Sequence, residues 1–402
     1  MPPGRRLLFV TEKFPWPLDD GGQLRTWHVL AGLAAELPVT LASLEPADAR
    51  SIEPVRALGV EVATFPRRRS AARTAWYAAK ALATRKPYPL EKNASRELLA
   101  ELHRRIAAGE VLALHLNHLD AAQYVEDLGP GRPSAVVDTH NLLTQMYERF
   151  ADAARDPARR AYCTVQWWKM ARYERELLKQ VEQVAVCSDI EREQLRTWGV
   201  DRVLVVPNGV DTAKLAPDGR APRAGGPPSL VFVGALSYLP NADGVRWFLA
   251  EVAPRLEAML PGFRLTIAGK DPPSDVRALG VPGRVEVPGY VDDLARLVRG
   301  ADACVVPLRI GGGTRLKILD AMALGTPVVA TRVGAEGIPA RDREHLLLGD
   351  TPAEFASAVA EVCADRALAR KLAENGRRLV VERYDWKSAI APLVEHYREL
   401  AR

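Results

Sequence analysis

Short apolar runs of four to six residues, each closed by small or polar residues, alternate along the whole chain with longer segments of helical period. In the first half the runs are "RRLLFV", "PVTLASL", "VEVATF", "LALHL", "SAVVDTH", "QVAVCS" and "RVLVVPNG". In the second they are "SLVFVGA", "FRLTIAGK", "VEVPGY", "ACVVPL", "TPVVAT" and "HLLLG". Near-continuous β-branched runs spaced by amphipathic helices are the pattern of βαβ units around a parallel sheet buried on both faces. The pattern predicts two α/β domains, each a Rossmann-like doubly wound parallel sheet, with a ligand cleft between them. Between the halves, "APDGRAPRAGGPPS" is rich in Pro and Gly and almost free of apolar side chains. It reads as a linker.

Length supports the division, because 402 residues suit two domains of about 200 residues each. With 48% hydrophobic and 26% charged residues, the composition is that of an ordinary globular protein. No stretch has the apolar length of a membrane span or of a signal peptide, so a cytoplasmic location is expected. Cys163, Cys187, Cys304 and Cys363 stand far apart without a CxxC pair, which points to neither a disulfide framework nor a zinc site.

The net charge of +5 is small for this length and does not call for nucleic acid. Part of the excess is local. Arg67, Arg68, Arg69, Arg73, Lys80, Arg85 and Lys86 crowd one segment together with Trp76 and Tyr77. Such a stretch suits a solvated helix face, the more usual outcome, or a peripheral contact of residues 67–90 with an anionic membrane surface.

Two glycine loops carry candidate chemistry. After "ACVVPL" comes "RIGGGTRLKILDAMALGTPVVAT", in which a helix is expected to begin near Thr314. Free amides and the positive end of a helix dipole meet at such a point, and glycine lets a ligand approach the backbone. Arg315 and Lys317 add two formal charges there, and a guanidinium grips phosphate oxygens in bidentate fashion. Asp320 is placed to accept hydrogen bonds from ribose hydroxyls. The plain alternative is a Lys317–Asp320 surface pair at i,i+3. In the first half, "TEKFPWPLDDGGQLRTW" follows a strand, and Gly21 and Gly22 would again present amides where a helix begins, near Gln23. The pair of loops suggests one phosphate-bearing ligand held by two domains. There is no GxGxxG after a strand, no GxxxxGK[ST] and no Asp-x-Asp, which argues against a nicotinamide cofactor, a P-loop and metal-assisted sugar transfer of the Asp-x-Asp kind.

The chain resembles the retaining glycosyltransferases of family 4, which have the GT-B fold. The residues that carry the resemblance are "DDGGQLRTWHVLAGLA", "VVPNGVD" at 205–211, "LVFVGALSYLPNADGVRWF", "VPGYVDDLARLVRGADACVVPL" and "GGGTRLKILDAMALGTPVVAT". The last is similar to the family's Glu-x7-Glu region, "EGFGLPLLEAMACGTPVV" in its common form. The resemblance implies residues 1–211 as an N-terminal acceptor-binding domain and 212–229 as linker. It implies 230–380 as the nucleotide-sugar donor domain and 381–402 as a C-terminal helix crossing back to the first domain.

It also implies a donor site formed by Gly21, Gly22, Gly234, Ser237, Asn241, Tyr290, Val291, Gly312, Gly313, Thr314, Arg315, Lys317 and Asp320. The match is partial. The family's second glutamate falls on Asp320 and its first on Gly312, and the two cations it commonly carries at the start of the second domain read Ala235 and Pro240 or Asn241. Arg315 and Lys317 stand where the common form has glycine and proline, as if the charge had moved from one loop to the other. The resemblance implies a divergent subgroup with GGGTRLKILDAM in place of the usual motif. His140, beyond a strand beside Asp138 and Asn141, matches the family's histidine near the donor sugar, and with Arg315 and Lys317 makes up the catalytic candidates. Lys13, His115 and His118 are acceptor-side candidates, with Glu12 a weaker one; no metal and no cofactor is expected.

The implied reaction is retaining transfer of a sugar from a nucleoside diphosphate sugar to a hydroxyl acceptor, without a metal. A nucleotide-sugar 2-epimerase of the same fold and a non-catalytic GT-B partner protein are the alternatives. Ala235 and Gly312 are what decay would look like.

Overall fold

The computed structural model describes residues 4–65, 76–77, 79–81, 83–154, 156–218, 226–311 and 315–402. The chain forms two compact units. One comprises Met1–Pro207 together with Ile390–Arg402, the other Asn208–Ala389.

In the first unit seven strands form one parallel sheet: β1 (Arg6–Thr11), β2 (Val39–Ser43), β3 (Glu61–Thr64), β4 (Val111–Asn117), β5 (Ala135–Asp138), β6 (Gln183–Val186) and β7 (Val203–Val205). Their spatial order is β3-β2-β1-β4-β5-β6-β7. In the second unit six strands form another: β8 (Ser229–Val233), β9 (Arg264–Ala268), β10 (Val285–Gly289), β11 (Ala303–Val306), β12 (Val328–Ala330) and β13 (Leu347–Leu348). The order there is β10-β9-β8-β11-β12-β13, and every ladder is parallel. All thirteen apolar runs read from the sequence become strands, because central strands covered on both faces must be apolar at every position rather than at alternate ones. Both units are therefore α/β, Rossmann-like and doubly wound.

Strand order reverses between β1 and β4 in the first sheet and between β8 and β11 in the second. At such a reversal the connecting helices leave to opposite faces and open a crevice beyond the carboxyl ends of the strands. The loops after β1 and β8 lie at these two places, whereas His140 follows β5 and Tyr290 follows the edge strand β10.

The boundaries differ from those expected. Residues 208–218 are not a free linker: the Val210 N–H donates to the Tyr384 carbonyl at 2.6 Å, and Arg377 donates to the carbonyls of Thr212 and Leu215, tying the segment into the second unit. The terminal segment is likewise not one helix. The helix Arg366–Arg383 is followed by a short helix Trp386–Ala389, and both belong to the second unit. The helix Ala391–Ala401 belongs to the first, where Leu393 and Tyr397 are fully buried.

Most of the basic segment lies outside the described residues. Of its seven named cations Lys80, Arg85 and Lys86 are described; Lys80 pairs with the buried Glu91 and Lys86 with Glu126. Among the described residues no helix is long and apolar enough to cross a membrane.

Candidate functional site

In the second unit the chain leaves β8 at Val233 and turns at Gly234 and Ala235 before the helix Leu239–Trp247. The space above Gly234 is filled from two directions. A Cβ there would lie 2.7 Å from the Asn241 amide nitrogen and 2.7 Å from Lys317 Nζ, so any larger residue would displace the ends of these two side chains. The Asn241 amide donates to the Ala235 carbonyl at 2.7 Å, and its oxygen accepts from Lys317 Nζ at 2.7 Å. Lys317 also rests 4.2 Å above the Phe232 ring. Its ammonium is thus delivered from the helix Leu316–Ala323 to the end of β8, the loop in which the sequence shows the missing cations. Burial pushes the Lys317 pKa down to about 7, with the neighbouring Arg315 charge acting in the same sense.

Arg315 is the N-cap residue of that helix and only 9% exposed. Its guanidinium crosses Gly311, whose added Cβ would lie 3.0 Å from Arg315 Nη2; Gly311 has φ +121°, a conformation that itself favours glycine. Asp320, one turn on, has its carboxyl pushed up to about 7 by burial alone. Lys317 reaches Asn241 and not Asp320, so the i,i+3 surface pair does not form. The helix begins at Leu316 rather than near Thr314. Gly312, Gly313 and Thr314 lie outside the described residues.

Two expected donor residues are open to solvent. Ser237 is exposed, and Tyr290, after Gly289 at φ +79°, is 63% exposed beside the half-buried Val291. The sequence reading missed Lys270. It stands two residues past the end of β9, with Nζ 5.2 Å from the Tyr290 ring centre. A lysine closing the run "LTIAGK" at a strand's carboxyl end was the available signal.

The first unit presents a different chemistry. Gly21 and Gly22 open the helix Gly21–Ala34. Its N-cap Asp20 accepts from the Gln23 N–H at 2.8 Å and also pairs with Lys13. Lys13 is therefore committed to this loop. His140 follows β5, and its ring packs on Gly22, whose added Cβ would be 3.6 Å from Nδ1. His140 Nε2 lies 3.0 Å from Asn117 Oδ1, and the Asn117 amide donates to Thr11 and Thr26. Because that nitrogen must donate to the Asn117 oxygen, the neutral tautomer carries its proton on Nε2 and leaves Nδ1 as an acceptor facing Gly22. Burial holds the His140 pKa near 3, well below its ordinary value.

Behind His140 is a buried ion pair absent from the sequence reading. Arg25 Nη2 and Nε grip Asp138 at 2.5 and 3.2 Å, and Arg25 Nη1 donates to the Val206 carbonyl at 2.8 Å. Burial raises the Asp138 carboxyl, but the opposing interactions, led by the Arg25 charge, outweigh it and leave the pKa below its ordinary value. Arg25 gave no signal because it reads as one polar position on an amphipathic helix.

His118 and His140 meet edge to face at 5.6 Å, and His118 Nδ1 lies 3.3 Å from Asp120. His118 has φ +71°, a costly conformation for a side chain with a Cβ. Burial lowers its pKa and Asp120 more than restores it. His115 corrects an expectation. It is fully buried in β4, stacked on Phe9 at 4.3 Å and bonded through Nδ1 to the Tyr397 hydroxyl at 3.0 Å, so it cannot line a binding surface. Asn141 lies beside His140 and is half-buried.

Two family models match the chain. Residues 20–209 match the glycosyl transferase 4-like domain and residues 227–365 the glycosyl transferases group 1 domain, together most of its length. Each match covers less than half of the chain, and together they make it similar to glycosyltransferases built from these two domains. Glycogen synthase of Mycobacterium tuberculosis is 29% identical over 239 residues, 55% of this chain and 55% of that protein. The chain thus spans about half the length of the curated relatives it matches. Among solved structures, sucrose-phosphate synthase from Thermosynechococcus elongatus aligns over 99% of both chains with a TM-score of 0.72 at 20% identity. HepE of Anabaena, solved in complex with UDP-glucose, aligns over 98% of this chain and 99% of its own with a TM-score of 0.67 at 14% identity. These likenesses establish the GT-B fold.

Proposed function

We propose that the protein is a retaining glycosyltransferase that moves a sugar from a nucleoside diphosphate sugar to a hydroxyl acceptor, with side chains rather than a metal stabilising the departing diphosphate. The observation that carries the proposal is Lys317, anchored by Asn241 against Gly234 at the strand reversal of the second unit. The complex of HepE with UDP-glucose and the match to a group 1 glycosyl transferase domain support a nucleotide-sugar donor.

In this mechanism the second unit holds the donor. Lys317 and Arg315 take the two phosphates, and Asp320, as carboxylate, accepts from the ribose hydroxyls. Proximity to cationic ligand groups and fixed amides lowers the cost of the leaving diphosphate without reorganisation at the moment of bond cleavage. The first unit binds the acceptor. Neutral His140, with its Nε2 proton engaged by Asn117, offers Nδ1 to a hydroxyl of the acceptor. It is not an acid, since a pKa near 3 leaves it unprotonated at neutral pH. No glycosidase-type carboxylate pair was legible in the sequence, so retention is assigned to departure and attack on one face, with a diphosphate oxygen receiving the acceptor proton. The Asp-x-Asp-free sequence supports the metal-independent route.

The test is transfer from a panel of labelled nucleoside diphosphate sugars to hydroxyl acceptors in the presence of a chelator, with the anomeric configuration of the product read by NMR. A glycoside of the donor's configuration is expected. An inverted product, or free epimer without glycoside, overturns the reading.

A further inference from the structure

The helix Pro157–Leu178 of the first unit is apolar on the side where a surface helix is normally polar. Inward it buries Cys163, Gln166, Met170, Tyr173 and Leu177, at the three- and four-residue steps of a helix packed on a core. Outward it carries Tyr162, Val165 and Trp168. Tyr162 and Val165 are each exposed over nearly half their surface, and Trp168, at 66%, is the most exposed large apolar side chain among the described residues. Steps of three set them along one strip about 9 Å long. Single exposed apolar side chains are ordinary, but three in succession on one strip mark a surface that something else covers.

The charge around the strip says what covers it. Residues 157–173 hold Arg159, Arg160, Lys169 and Arg172 and not one acid. The acids next to this stretch are engaged: Asp156 accepts from the Arg159 N–H, Glu174 is fully buried and accepts from the Leu143 and Thr144 N–H groups, and Glu176 pairs with Arg172. Two more, Glu148 and Asp152, are exposed on the preceding helix Leu143–Ala153, against the four cations. Lys169 donates to the carbonyls of Ala81 and Thr84, and the Gln166 side chain accepts from the Tyr88 N–H at 3.1 Å, which fastens a second basic and aromatic segment to this helix. That segment includes the exposed Arg85 and the exposed Trp76, with Lys80 Nζ 5.5 Å from the Trp76 ring centre.

We propose that this face of the helix, with Trp168 at its centre, docks the protein on a membrane surface that contains anionic lipid. Tryptophan and tyrosine rings settle at the level of the lipid head groups, where one end of the ring is in apolar surroundings and the other is wet, and arginine and lysine are drawn to anionic head groups. A second copy of the chain fits less well, because a two-fold interface would set the same cations against each other. Among the described residues no helix is long and apolar enough to cross a membrane, so the contact is one of lying on the surface. It falls mainly on residues 159–172 rather than within 67–90, the segment whose charge stands out in the sequence. The proposal concerns the first unit alone and holds whatever sugar is transferred.

Flotation of the full chain with lipid vesicles tests it, using phosphatidylcholine alone and mixed with an equal part of phosphatidylglycerol, at low and at physiological salt. Binding to the anionic vesicles that weakens as salt is raised, and that falls at least tenfold in Trp168→Ser/Val165→Ser at unchanged melting temperature, is the expected result. Both side chains are exposed, so the variant leaves the core of the unit intact. Val381→Ser, which removes an exposed apolar side chain from the second unit, is expected to bind as the wild type does. No binding to the anionic vesicles, equal binding to phosphatidylcholine alone, or equal binding by the double variant would each overturn the proposal, as would an equal loss in Val381→Ser. Sedimentation of the lipid-free protein checks the rival occupant. A wild type that dimerises beside a double variant that does not would assign the face to a second copy and overturn docking on lipid.

Discussion

At the scale of single residues, the account turns on the state of Lys317. Its ordinary pKa is lowered to about 7 by burial, so the free protein carries a mixed population near neutral pH. A bound diphosphate favours the ammonium form, and binding must then draw in a proton. Nucleotide affinity is expected to fall as pH rises through 7, by up to tenfold per unit above it, whereas below 7 the dependence on this group disappears. Calorimetry in buffers of different ionisation heat checks the proton uptake directly. The same depression acts on stability in the opposite sense. Between pH 7 and the ordinary lysine value the unfolded chain holds the extra proton, so this group makes the ligand-free protein more stable as pH rises through that window. Lys317 was legible in the sequence as a cation at a helix start. Its partner was not, because the Asn241–Lys317 bond joins positions 76 residues apart, which no local pattern reveals.

The buried pair Arg25–Asp138 belongs to the same scale. Asp138→Ala strands a guanidinium that is 1% exposed, and loss of one member of a buried ion pair costs about 3–5 kcal/mol. Chemical denaturation is expected to show that loss, and a double Arg25→Met, Asp138→Leu variant to recover most of it. If the single variant is as stable as the wild type, the pair does not hold the His140 loop.

At the scale of elements, the strand reversals decide where chemistry can occur, and close backbone approach decides its shape. A Cβ on Gly269 would lie 1.8 Å from the Gly234 carbonyl oxygen, a backbone atom with no freedom to step aside. Gly269→Ala must therefore displace the β8 turn on which Asn241 and Lys317 converge. The expected result is loss of nucleotide binding with a drop in melting temperature smaller than complete unfolding would give, measured by calorimetry and by thermal melts on one preparation. Retained affinity would mean that the turn does not shape the donor site. Elements were the most legible part of the fold, since unbroken apolar runs such as "LLFV" and "ACVV" admit little else. His115 shows the limit. Sequence placed it near a strand end as an acceptor-side candidate, but the β4 register turns its ring inward to Phe9 and Tyr397, the latter 282 residues along the chain.

At the scale of the whole molecule, the chain visits the first unit, forms the second and returns. Residues 390–402 complete the first unit by burying Leu393 and Tyr397, side chains worth roughly 2 kcal/mol or more each when fully covered. Ending the chain after Ala389 is expected to lower the melting temperature of that unit by about 10 °C, and to release His115 from its hydroxyl partner, while the second unit still binds nucleotide. A melt unchanged by the truncation would show that the returning helix is dispensable. The return was legible only through resemblance. The linker expected at 212–229 lost its first residues to the second unit because a pairing with Tyr384 and Asp385 lies beyond the reach of local composition.

The central claim is that the second unit holds a nucleoside diphosphate through Lys317. It is tested most directly by calorimetric titration of UDP, GDP, dTDP, ADP and CDP into the wild type and Lys317→Ala at pH 6.5. Hydrogen bonds to charged groups contribute about 1.5–3 kcal/mol, so the account predicts tight binding of at least one nucleotide and a loss of roughly 10- to 100-fold in the variant. Binding of equal strength in the two proteins, or of no nucleotide to the wild type, would contradict it.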